Sequence, residues 1–300
     1  MAVVFEVKAS ADEMLKGYHW EAQEAKANLC VITGMNEYAY RYHDFAEWMN
    51  AHSINVWVLD AFGQGLNVSS PEEQEKWPED AFKKTLKAIH RMNLLAASNG
   101  LPTVQMGHSM GSFMTQALIE MYPKGTDKVI LCGSNGGQNT LMQIAYGLSR
   151  VLVNKENRDK PSGFLQQLGL GGYASAVPDR RTDYDWLSYD EDNVKRYIDD
   201  PYCGHPNTGG FWREFLRGMA QIWKKKNLRR ISKEETILII AGEDDPVGQM
   251  GEGPKWLAKT YRELGVKDVE LKIYSGMRHE ILNEKDKERV YEDILAFINA

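Results

Sequence analysis

Short runs of apolar and β-branched residues alternate along this chain with longer stretches in which apolar residues return every three or four positions. The first pattern suits a buried strand, and the second turns one stripe of a helix toward a core. Strands are expected at residues 29–33, 54–59, 103–107, 128–132, 236–241 and 269–274, with weaker β signal around Phe5 and Tyr18. Helical spacing covers residues 42–51, 78–98, 110–122, 254–264 and 286–298, each long enough to cross from one strand to the next. Gly100, Pro102, Pro123 and Gly265 fall between these elements, where they punctuate rather than interrupt. Such alternation predicts an α/β fold, a mostly parallel sheet with flanking helices on both faces.

From about residue 135 to about residue 232 the alternation lapses, and the strand pattern returns only at TILIIAG. The expected organisation is a catalytic core made of residues 1–134 and 233–300, with residues 135–232 inserted as a helical cap. Within the insertion Phe211, Trp212, Phe215, Leu216, Met219, Ile222 and Trp223 recur on one helical face. That stripe is expected to pack the cap onto the core and, as a group, to line a lipid-accepting pocket.

Composition narrows the function classes. With 300 residues, 43% hydrophobic and 26% charged, the chain can bury a sizeable core. A net charge of -6, with basic and acidic residues intermixed, supplies no basic face for a nucleic-acid backbone. The dense basic run at 224–226, followed by Arg229 and Arg230, has Glu234 and Glu235 close behind and reads as a solvated helix end. Cys30, Cys132 and Cys203 are odd in number and widely spaced, two of them inside apolar runs, so neither a disulfide framework nor a zinc site is expected. The first residues, MAVVFEVKASADEML, lack the basic and long apolar regions of a secretory signal, and no stretch approaches the roughly 18 apolar residues that span a bilayer. A cytoplasmic enzyme without stable membrane insertion is expected, with transient contact at a lipid surface as the most that membranes offer.

The sharpest chemical signal is GHSMG at 107–111, a complete G-x-S-x-G between a strand-like TVQM and a helical SFMTQALIEMY. A serine on such a turn is held in a strained backbone conformation with its hydroxyl exposed, and flanking glycines remove β-carbons that would collide with strand and helix. Ser109 is thus the candidate nucleophile. A helix N-terminus also offers backbone N–H groups and a positive dipole end to the oxyanion of a tetrahedral intermediate.

A serine hydroxyl needs a histidine to take its proton and a carboxylate to orient that histidine. In this fold they follow the serine in the order acid, then histidine, and only His205 and His279 lie downstream of Ser109. His205 falls in the expected cap. His279 follows the last strand-like run, in the loop before the final helix, and is the expected base; His43, His52 and His90 sit on expected helices and read as structural. The acid should close the preceding strand, where TILIIAGEDDPVG presents Glu243, Asp244 and Asp245 in succession. Asp245 is the choice, with the other two as rivals that spacing alone does not exclude. The oxyanion donors are expected to be the backbone N–H groups of Met110 and of Met35, on the turn after the first parallel strand.

GHSMG at 107–111, AGEDDPVG at 241–248 and GMRHEILNE at 276–284 resemble the nucleophile elbow, acid loop and histidine loop of the monoacylglycerol lipase and lysophospholipase group of α/β-hydrolases. The stretch WLSYDEDNVKRYIDDPYCG at 186–204 is similar to the cap of bacterial members, and the resemblance spans most of the chain. It implies the α/β-hydrolase fold, with Ser109, Asp245 and His279 as the triad and no metal or organic cofactor. Two departures stand out. The family's oxyanion turn usually reads His-Gly-x-x-Glu-His, whereas this chain has TGMNEY at 33–38, with Thr33 and Tyr38 at the histidine positions. At DAFGQG, 60–65, relatives often carry Gly-His-Gly; here the segment reads as a structural turn without functional consequence.

The expected activity is hydrolysis of lipid-like carboxylic esters through an acyl-enzyme, with monoacylglycerols, lysophospholipids and short-chain esters unranked. Two rivals remain. A small-peptide or amide hydrolase of the same fold would need a cap carboxylate to grip a free amine, for which Asp190, Glu191 and Asp192 are available. A non-catalytic ligand-binding protein on the same scaffold would keep the pocket and lose turnover.

Overall fold

The computed structural model describes residues 1–300. Its strands are β1 (Ala2–Lys8), β2 (Met14–Trp20), β3 (Ala27–Ile32), β4 (Ile54–Leu59), β5 (Thr103–His108), β6 (Lys128–Cys132), β7 (Thr236–Gly242) and β8 (Asp268–Tyr274). They form one sheet in the order β1-β2-β4-β3-β5-β6-β7-β8, in which β2 pairs antiparallel with β1 and β4 and every other pair is parallel. This is the α/β-hydrolase architecture. The six strongly predicted strands coincide with β3 to β8 within two residues. β1 and β2 signal weakly because they form the antiparallel edge, where six of the seven β1 residues are not fully buried and alternation replaces a continuous apolar run.

Helices α1 (His43–Ala51), α2 (Ala81–Ala96), α3 (Met110–Met121), α9 (Glu252–Glu263) and α10 (Lys287–Asn299) connect or follow the parallel strands. The period of two in each central strand divides its side chains between two cores. Ile237 and Ile239 of β7 enter a cluster with α2, α3 and α9, whereas Leu238 and Ile240 enter one with α1 and α10. β6 divides likewise, Val129 and Leu131 against Ile130 and Cys132. Each such side chain, withdrawn from water, contributes about 1.5–3 kcal/mol before entropy is counted. Two expected helix starts shift: α2 begins after Asp80, which adopts a left-handed conformation at φ 59°, and α9 begins at Glu252 with Pro254 in its first turn, where a missing N–H costs nothing.

Between β6 and β7 the chain forms α4 (Asn139–Leu152), α5 (Gly163–Ser175), α6 (Glu191–Asp199), α7 (Gly209–Met219) and the short α8 (Lys225–Leu228), and contributes no strand to the sheet. The aromatic stripe is centred on α7 and serves two surfaces. Phe211 packs on the fully buried Trp77 with ring centres 4.6 Å apart, while Trp212, Phe215, Leu216, Met219 and Trp223 face a cavity above the sheet. No helix is long and apolar enough to cross a membrane.

A tight approach of backbone to backbone lies where β5 turns into α3. A β-carbon on Gly111 would stand 2.3 Å from the Ile32 carbonyl oxygen of β3, and one on Gly107 2.2 Å from the Gly111 carbonyl oxygen. Both contacts are with backbone, which has little room to yield. Gly111→Ala is therefore expected to destabilise the fold by about 1–3 kcal/mol or more, read as a lower urea midpoint at an unchanged slope.

Candidate active site

Ser109 stands at the junction of β5 and α3 with φ 52° and ψ -118°, a conformation a non-glycine residue keeps only when its surroundings impose it. The constraint is visible on both sides: the Ser109 N–H donates to Cys132 O of β6, and its carbonyl accepts from the N–H of Ser112 and Phe113. Asp245, fully buried after β7, and His279, 1% exposed after β8, meet through Nδ1 of the imidazole, which lies 3.0 Å from each carboxylate oxygen. Asp245 Oδ1 also accepts from the Val247 N–H at 2.8 Å. That pairing places the imidazole proton on Nδ1 and leaves Nε2 as an acceptor, and Nε2 has no partner in the protein. Ser109 Oγ and His279 Nε2 are not hydrogen-bonded to each other, but both residues line one cavity, and the rings of His108 and His279 are 4.9 Å apart.

The three acidic candidates separate cleanly. Asp245 holds the imidazole, Asp244 accepts from the Tyr189 hydroxyl, and Glu243 is exposed. His205 is partly exposed and its Nε2 pairs with Pro201 O, away from the cavity wall. The turn after β3 runs directly past the elbow: a β-carbon on Gly34 would be 3.2 Å from Ser109 Cβ. Neither the Met35 N–H nor the Met110 N–H donates to a protein acceptor. Two free backbone donors therefore flank Ser109, as an oxyanion requires.

The cavity is lined by 26 residues, 16 of them hydrophobic, among them Phe113, Trp212, Phe215, Met219 and Trp223. Its lining carboxylates are Glu37 and Glu280. A family model described as "Serine aminopeptidase, S33" (Hydrolase_4) matches residues 23–286. The chain belongs to this serine hydrolase family. The Hydrolase_4 chain is 27% identical over 270 residues, 88% of its own length and 85% of the other, to "Monoacylglycerol lipase" of Mycolicibacterium smegmatis. Among solved structures it superimposes with a TM-score of 0.84 on a thermostable carboxyl esterase from Bacillus coagulans in complex with glycerol, at 23% identity over 100% of this chain and 97% of that one. Monoglyceride lipase from Saccharomyces cerevisiae in complex with a substrate analog gives 0.73 at 17% identity, covering 99% and 95%.

Beneath the elbow of this hydrolase lies a buried charge network that sequence reasoning did not anticipate. Glu37 Oε1 accepts from the Gly34 N–H at 2.5 Å, the Tyr42 hydroxyl at 2.9 Å and His108 Nδ1 at 3.0 Å, while Oε2 takes Arg41 at 3.0 Å. The same guanidinium grips Glu280 with two bonds of 2.7 and 2.9 Å, and Asn193 of α6 donates to that carboxylate at 2.7 Å. Glu37 sits on the turn after β3, His108 in the elbow and Glu280 beside His279, so one network joins all three segments. Its only sequence signals are Glu37 in the resembled turn pattern and the four-residue spacing to Arg41; Glu280 lies 239 residues from Arg41 and gives no warning.

Burial opposes ionisation of Glu37 and Glu280, yet it is outweighed. The His108 bond and charge with the Arg41 charge hold Glu37 below its ordinary value, and Arg41 does the same for Glu280. For His108, burial opposes the charge, but the Glu37 bond and charge prevail and raise its pKa. Arg41→Met would strand two buried carboxylates. It is expected to cost about 3–5 kcal/mol in urea denaturation. Because the two carboxylates bind protons more weakly folded than unfolded, their contribution is present above the ordinary value of 4.5 and lost as pH falls through the depressed values. Parent stability should therefore decline on acidification below about pH 4.5, more steeply than in Arg41→Met.

Proposed function

We propose that this protein hydrolyses carboxylic esters of lipid-like substrates through an acyl-enzyme, with Ser109 as nucleophile, His279 as general base and Asp245 as the acid that orients it. The observation that carries this reading is the carboxylate-held imidazole whose free Nε2 opens on the same apolar cavity as the strained serine. Ser109 Oγ attacks the acyl carbonyl as His279 Nε2 takes its proton, and the negative oxygen settles between the N–H groups of Met35 and Met110. The imidazolium returns the proton to the departing alcohol. Water then repeats the sequence on the acyl-serine, releasing the carboxylic acid and restoring the hydroxyl.

Residues 135–232 act in this reading as a cap. Its α7 aromatics form the apolar roof, and the ring centre of Trp186 lies 5.2 Å from that of His279. The names of the relatives, monoacylglycerol lipase and monoglyceride lipase, favour monoacylglycerols among the ester substrates. The family description as an aminopeptidase points instead to peptides, but such a reaction needs an uncommitted carboxylate to hold the amine. The lining carboxylates, Glu37 and Glu280, are both engaged by Arg41, and Asp190, Glu191 and Asp192 do not reach the cavity. Three buried, unpaired thiols suit a reducing compartment, and we assign the activity to the cytoplasm.

Ser109→Ala is expected to lower kcat by at least about 10⁴-fold with the urea midpoint nearly unchanged, and a fluorophosphonate should modify the parent at Ser109 alone. Substantial turnover by Ser109→Ala would refute the assignment. A panel of glycerol monoesters and aminoacyl-naphthylamides should show turnover of the esters only; release of naphthylamine at a comparable rate would favour the peptidase.

A further inference from the structure

We infer that Gln64 and Thr33 are positioning residues of the oxyanion hole, an inference that rests on the reading of Met35 N–H as an oxyanion donor. Both are fully buried. The Gln64 side-chain amide reaches the turn in two directions: Nε2 donates to the Gly34 carbonyl at 2.8 Å, while Oε1 accepts from the Thr33 hydroxyl at 2.8 Å and the Ala61 N–H at 3.3 Å. The Ala61 N–H can only donate and the Gly34 carbonyl can only accept, so together they fix which end of the amide faces Gly34, and the Thr33 hydroxyl completes the arrangement by donating to Oε1.

The consequence follows from peptide geometry. The Gly34 carbonyl and the Met35 N–H belong to one planar trans unit and point in opposite directions. A donor that pins the carbonyl toward Gln64 therefore aims the N–H away from it, on the side where the turn passes Ser109. The Gly34 N–H is held separately by Glu37 Oε1, so the peptide units on both sides of Gly34 are anchored and the second cannot flip without breaking the Gln64 bond. Thr33 stands at the first histidine position of the resembled turn and Gln64 lies in the segment where relatives often carry Gly-His-Gly, and the structure shows that these departures touch. They form one non-titrating clamp rather than two independent losses.

Gln64→Glu is the nearly isosteric test. An ionised carboxylate has no proton for the Gly34 carbonyl and repels it, whereas the protonated form donates as the amide does. Asp60, Glu75, Glu37 and His108 surround the turn and titrate in the parent as well, so the quantity to read is the ratio of the two kcat values at each pH. With a glycerol monoester, kcat of Gln64→Glu should fall at least tenfold at high pH with KM changed less than threefold, and the ratio should climb toward one as the introduced carboxyl protonates. Should that variant not fold, Thr33→Val is expected to lower kcat by a similar factor at unchanged KM, with Thr33→Ser restoring it. Parent-like kcat at every pH in Gln64→Glu, or in Thr33→Val, would overturn the clamp while Ser109→Ala stayed inactive. Activity surviving in Ser109→Ala would instead overturn the serine mechanism beneath it.

Discussion

The Glu37 carboxylate is the point on which the candidate site depends. It is nearly withdrawn from water and must satisfy its charge locally, and it does so with donors from the turn after β3, from the elbow and from Arg41. A buried carboxylate left unpaired is costly, so each donor is held in place by the charge it neutralises. Arg41 passes the constraint to Glu280 and so to the residue after His279. The site is therefore assembled by electrostatic necessity as much as by the sheet that carries it.

The helical stretch between β6 and β7 leans on this assembly rather than floating above it. Asn193 donates to Glu280, the Glu280 N–H donates to Leu187 O at 2.7 Å, and the Tyr38 hydroxyl donates to Asp200 at 2.8 Å. The Asn36 side chain reaches His205 O at 2.8 Å, and Arg278 stacks over the Tyr189 ring at 3.8 Å. The turn after β3 and the His279 loop are thus braced from above by the same stretch that roofs the cavity. The roof of the cavity and these two loops are mechanically linked in this arrangement, because a helical stretch displaced from Tyr38 and Glu280 would release bonds to both.

Two readings of the sequence change once the turn is seen in three dimensions. Gln64 lies in a segment that reads as a turn without consequence, yet its amide anchors Gly34. Tyr38, at a position where histidine is usual, bonds to the helical stretch. Neither partner is near in sequence, being 31 and 162 residues away from Thr33 and Tyr38 respectively, so no local pattern announces them.

The sequence by itself determined the alternation that makes an α/β sheet, the elbow at Ser109 and the order in which acid and histidine follow, because period, turn chemistry and chain order are local or directional properties of a string. It narrowed the acid to three neighbours at one strand end. Spacing alone left the three open and the resemblance pointed to Asp245; the tertiary structure supplies the contact itself, since which carboxylate meets an imidazole depends on the direction each side chain leaves the loop. Only the fold, likewise, brought Glu37, Arg41, His108 and Glu280 together, because long-range charge pairing leaves no periodic trace in the chain and is decided by which buried groups have no other partner.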